Sequence, residues 1–99
     1  MPMNEITKQK VNSIFNHLTD RLVNTYNRWQ DEKEYENWND YITFFQNIFE
    51  SAKEECNMNN AVFVKAQKRP FGITYDFEGW RVILSVNSNE VKWKAKKFK

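Results

Sequence analysis

At residue 61 the spacing of apolar side chains changes, and that change constrains the fold more than any other feature of the chain. Before it, apolar residues recur at steps of three and four; after it, they fall on every second position. The first spacing is that of an amphipathic helix and the second that of a strand with one buried face.

The first half reads as two helices, over residues 4–30 and 35–57, within about two residues at each end. Val11, Ile14, Phe15, Leu18, Leu22, Tyr26 and Trp29 draw one stripe about 120° wide. Asn4 is placed to cap its start, with Glu5 in the first turn. The phase is lost across QDEKEYEN and resumes at Trp38, Tyr41, Ile42, Phe45, Ile48, Phe49, Ala52 and Cys56. Asp31 or Asn37 is the candidate cap of the second helix. NMNN at 57–60 offers residues that tolerate a left-handed stop.

The second half reads as four strands, over residues 61–68, 72–77, 80–87 and 90–97, again approximate at their ends. Two-residue loops at Glu78-Gly79 and Ser88-Asn89 pair Phe77 with Trp80, Tyr75 with Val82, Leu84 with Trp93 and Val86 with Val91. RPFG suits a type I turn, and a loop at Pro70-Phe71 pairs Ala66 with Tyr75 and Val64 with Phe77. Each pairing keeps the apolar residues on one face, and a slip of one residue would break the agreement. The expected fold is therefore a single α+β domain over 1–99. Two N-terminal helices pack on one face of a four-stranded antiparallel meander, in the order α-α-β-β-β-β.

The same registers assign Phe63, Lys65, Gln67, Thr74, Asp76, Arg81, Ile83, Ser85, Lys92, Lys94 and Lys96 to the opposite face. Asp76 is expected to stand between Lys65 and Arg81. The ending VKWKAKKFK places five lysines in nine residues. Its first reading is an edge strand whose outward lysines discourage strand addition; its second is a grip on phosphates or on an acidic protein. Single-strand binding wants exposed aromatics for base stacking, and this alternation turns the sheet aromatics toward the helices, leaving only Phe63 and Phe98 outside.

Charge is segregated along the chain. Residues 1–59 carry six basic and ten acidic side chains, and residues 60–99 nine basic and three acidic. Such a split suits a polyanion-binding half, or self-association between unlike halves. No apolar run approaches the ~20 residues of a membrane span. The N-terminus has no signal-peptide core, and the single cysteine makes no internal disulfide. A cytoplasmic protein is the expectation.

Candidate chemistry is thin. Cys56 and His17 are a nucleophile–base pair only if the fold unites them, and their helix positions read instead as a buried thiol and a surface histidine. DEKEYE lacks the spacing and glycine of a calcium loop, and one histidine makes no zinc site. Gly72 and Gly79 fall in turns rather than in a phosphate-cradling loop. No catalytic, metal or cofactor residues are assigned. Helix two has an apolar arc about 180° wide; its margins, Tyr35 and Phe44, with Trp38 beside the helix turn, are the candidate protein-binding residues. Lys65, Arg81, Lys92, Lys94 and Lys96 are the candidates for phosphate or an acidic partner. The reading is a small non-enzymatic binding protein, regulatory or inhibitory, acting by protein–protein contact or self-association. The alternative is a nucleic-acid-binding accessory protein gripping phosphates with the sheet face.

Overall fold

A computed structural model describes residues 2–32, 38–87 and 90–98. Helices α1 (Glu5–Glu32) and α2 (Trp38–Glu55) precede strands β1 (Val62–Lys68), β2 (Phe71–Phe77), β3 (Trp80–Asn87) and β4 (Glu90–Lys97). The strands form one open antiparallel sheet in the order β1-β2-β3-β4, and both helices lie on one face of it. The α-α-β-β-β-β arrangement expected from the spacing is the fold.

Both helices begin or end on local chemistry visible in the sequence. The Asn4 side chain accepts the Thr7 backbone N–H at 2.8 Å, satisfying one of the free donors at the start of α1. Asn57 closes α2 with φ 55°. Its N–H bonds to the Glu54 carbonyl at 3.2 Å and that of Met58 to the Lys53 carbonyl at 2.9 Å. This is a Schellman stop, with Met58 fully buried beside it. Asp31 lies inside α1, which runs on to Glu32, so it does not cap α2; Asn37 lies outside the described residues.

The core is the layer between helices and sheet. Ile14, Leu18 and Leu22 of α1 and Phe45, Phe49 and Ala52 of α2 meet Ile73, Tyr75, Phe77, Val82 and Leu84. Phe49 sits 5.8 Å from the Phe63 ring of β1 and 5.0 Å from Tyr75 of β2, and Phe45 5.5 Å from Phe71, so α2 covers β1 and β2. Asn12 of α1 accepts the Trp93 indole N–H at 3.2 Å, which ties α1 to β4. Each fully buried large apolar side chain contributes about 1.5–3 kcal/mol. The Tyr75 hydroxyl is an exception within this layer: it is buried and has no hydrogen-bond partner, and burial pushes its pKa well above the ordinary range.

The β2–β3 and β3–β4 registers match the sequence reading throughout: Phe77 faces Trp80, Tyr75 faces Val82, Leu84 faces Trp93 and Val86 faces Val91. Glu78 and Gly79 both have positive φ, 53° and 81°, as a type I′ hairpin turn requires.

The β1–β2 register differs. The turn residues are Arg69 and Pro70, joined by a cis peptide, and Lys68 pairs with Phe71. Ala66 therefore faces Ile73, not Tyr75. A bulge between Phe63 and Lys65 then adds one residue to β1, so Phe63 faces Tyr75. The extra residue reverses the sides: Phe63 turns toward the core, 5.8 Å from Phe49, while Val62 and Val64 are 59% and 38% exposed. Lys65 faces Thr74, and Asp76 faces Val62. The expected Lys65–Asp76–Arg81 ladder is thus reduced to Asp76 and Arg81.

Candidate interaction face

The outer face of the sheet gathers the cations that alternation assigned to it. Lys92, Lys94 and Lys96 pair in register with Ser85, Ile83 and Arg81, and all three are exposed. Lys65 stands exposed on the opposite edge strand. None of the four lysines has a carboxylate within ion-pair distance among the described residues. Two carboxylates share the face. Glu90 heads the lysine row on β4, two residues before Lys92. Asp76 is engaged by Arg81, whose Nε and Nη2 donate to its two oxygens at 2.8 and 3.0 Å. This bidentate bond, reinforced by the carboxylate's charge, raises the Arg81 pKa. The Phe98 ring lies 5.4 Å from the same guanidinium. Arg81 is therefore the candidate cation least free to meet a partner.

Between the two basic edges the floor is neutral and tied down. Thr74 is buried although it faces outward, and its hydroxyl donates to Gln67 Oε1 at 2.9 Å. Gln67 Nε2 donates in turn to the Leu84 carbonyl at 3.2 Å, crossing β2 at the position where Gly72 has no side chain. The sequence marked Gln67 only as an outward polar residue; its bridging role depends on the glycine opposite it.

Of the aromatic candidates on α2, Trp38 is engaged by the fold. Trp38 packs against Trp29 at 5.2 Å, Tyr41 at 6.1 Å and Phe71 at 6.1 Å, with the Lys68 ammonium 5.3 Å from its ring. Phe44 remains 41% exposed. Tyr35 lies outside the described residues. The acidic run is also largely outside them: the side chains of Asp31, Glu32, Glu34 and Glu36, four of the ten acidic groups of the first half, are not described.

The structure does unite Cys56 and His17, which helix geometry alone had kept apart. Cys56 is half-buried rather than buried, and its Sγ lies 3.5 Å from His17 Nδ1. The histidine is shared with other partners. Nδ1 also meets the Ser13 carbonyl at 3.0 Å, and Nε2 faces Glu55 Oε2 at 3.3 Å, so both ring nitrogens are directed at acceptors. Burial and the neighbouring Glu55 carboxylate both raise the Cys56 pKa. A raised thiol pKa means little thiolate at neutral pH. Labelling of Cys56 in the folded protein should be slow at pH 7 and climb about tenfold per pH unit through pH 9. A rate that levels off near pH 7 would show a reactive thiolate.

An open dent of about 750 Å³ beside the β1–β2 turn is lined by Tyr26, Trp29, Lys68, Arg69 and Phe71. Trp29 and Phe71 are only 6% and 3% exposed, so their ring faces are closed to a stacking ligand. Among the described residues, no helix is long and apolar enough to cross a membrane. No protein-family model matches the chain, and neither a curated protein nor a solved structure matches it.

Proposed function

We propose that this protein is a binding module, regulatory or inhibitory, which covers an acidic surface of a macromolecular partner with the outer face of its sheet. The observation that carries the reading is the imbalance on that face. Among the described residues, Lys65, Lys92, Lys94 and Lys96 are exposed with no carboxylate at ion-pair distance; Asp76 is already held by Arg81, which leaves Glu90 alone against the four. Unpaired like charges on one rigid face raise the local potential and favour a partner of opposite sign. The Cys56–His17 pair, with its protonated thiol and its histidine directed at acceptors, supports binding over catalysis.

A protein contact through α2 is the competing surface, and Phe44 is its exposed anchor. Affinity capture from host lysate separates the two. Partners should be retained by the wild type and by Phe44→Ala, and lost by the triple change of Lys92, Lys94 and Lys96 to Gln. Retention by the triple variant with loss in Phe44→Ala would move the contact to α2. Capture repeated after nuclease treatment tells a protein partner from one held through nucleic acid.

A further inference from the structure

This inference rests on the outer sheet face being the contact surface, and it names the partner. We propose that the face grips the phosphate backbone of a duplex nucleic acid without reading its sequence.

The kind of cation points this way. Among the described residues, every cation on the face without an ion-pair partner is a lysine, and Arg81 is bound to Asp76. Protein–protein interfaces deplete lysine and depend on tryptophan, tyrosine or arginine anchors seated in desolvated pockets. Among the described residues the face offers no such anchor, its arginine being held by Asp76. Lysine used as a point charge is ordinary on phosphates, where displaced counterions supply the affinity.

Placement points the same way. Alternate residues on one strand put Lys92, Lys94 and Lys96 about 6.8 Å apart in a row. Lys65 stands three strands away, about 14 Å across a neutral floor. That span is comparable with the roughly 12 Å major groove of B-DNA, so the two edges can reach backbone on either side of a groove.

What the face lacks selects duplex over single strand and excludes base readout. Tyr75, Phe77, Trp80 and Trp93 belong to the helix side and the bulge in β1 adds Phe63 to them, so among the described residues Phe98, 45% exposed beside Arg81, is the single ring left on the outer face. Single-strand grooves need such rings for base stacking. The two side chains able to read a base edge bidentately are engaged, Gln67 by Thr74 and Leu84 and Arg81 by Asp76.

The experiment is fluorescence anisotropy across a salt series, with a labelled duplex of about 20 base pairs, its single strand, and poly-L-glutamate as a protein-like polyanion. The wild type should bind duplexes of unrelated sequence alike, in the non-specific range of about 10⁻⁴–10⁻⁶ M, and more tightly than the single strand. The triple change to Gln should reduce the log–log salt slope by about 2–3, and the triple change to Arg should retain it. If removing the lysines makes the protein aggregate, the Arg variant and the wild-type slope still decide the matter. Tighter binding to the single strand, a strong sequence preference, or a slope unchanged by the Gln variant would overturn the proposal. Binding to poly-L-glutamate without binding to duplex would remove the nucleic-acid partner and leave the contact surface standing. Binding to neither would remove both.

Discussion

Gly72→Ala is expected to destabilise the domain by about 2–5 kcal/mol, through the collision of two backbones rather than the loss of a side chain. Gly72 sits mid-sheet between Gln67 and Ser85, at φ 154°, where L residues are strained. A Cβ built there would stand 2.0 Å from the Leu84 carbonyl oxygen and 2.9 Å from its carbon. Backbone cannot rotate away as a side-chain tip can, so β2 and β3 would have to part. The same movement would break the bond from Gln67 to the Leu84 carbonyl and unseat Thr74 beneath it. Overpacking adds about 1–3 kcal/mol and the backbone conformation about 1–2 more, against a total of about 5–15 for a domain of this size. At roughly 4–8 °C per kcal/mol, the melting temperature should fall by about 8 °C or more. A fall of less than about 4 °C would mean that the strands accommodate the methyl group and that Gly72 is not held as described.

The position of Gly72 also shows where sequence reasoning stopped. RPFG is legible as a turn, and taken alone it puts its glycine in the turn itself. The turn instead closes on Arg69 and Pro70, and Gly72 is the second residue of β2. The meander from β2 onward was legible because its hairpins have two-residue loops, which tie register to parity: Phe77–Trp80 and Leu84–Trp93 follow by counting. The lysine row was legible for the same reason, since Lys92, Lys94 and Lys96 share the parity opposite to Trp93 and Ala95. Its uncompensated state was not, because pairing depends on side-chain reach: Asp76 answers Arg81 and not Lys65. The meeting of Cys56 with His17 was beyond reach too. They lie 39 residues apart, and the rotation of α1 against α2 that joins them is set by the packing of the whole core. The place of Trp38 depends on packing for a related reason. A wide apolar arc is compatible with a partner or with two neighbours, and here Trp29, Tyr41 and Phe71 supply the neighbours.

The bulge in β1 gives the second large effect, because it reverses which residues of VFVK the core depends on. Strict alternation buries Val62 and Val64 and exposes Phe63. All three are apolar, so polarity cannot decide between the two sides, whereas size can: an aromatic ring buries about 150–250 Å². One added residue lets Phe63 take the inner side, against Phe49, and leaves Val64 at the surface. It also kinks an edge strand that would otherwise present a straight apolar ladder to a neighbouring chain. Phe63→Ala should therefore cost about 2–3 kcal/mol, below the 3–5 typical of a fully enclosed ring because Phe63 is only half-buried. Val64→Ala, at an exposed position, should fall within about 0.5 kcal/mol. Urea unfolding of the two variants reads the difference as a shift in midpoint at constant slope. The opposite ranking, with Val64→Ala the costlier change, would restore regular alternation to β1. Phe63 would then return to the outer face as a stacking ring beside Lys65, and single-stranded nucleic acid would displace duplex as the partner that face is built to hold.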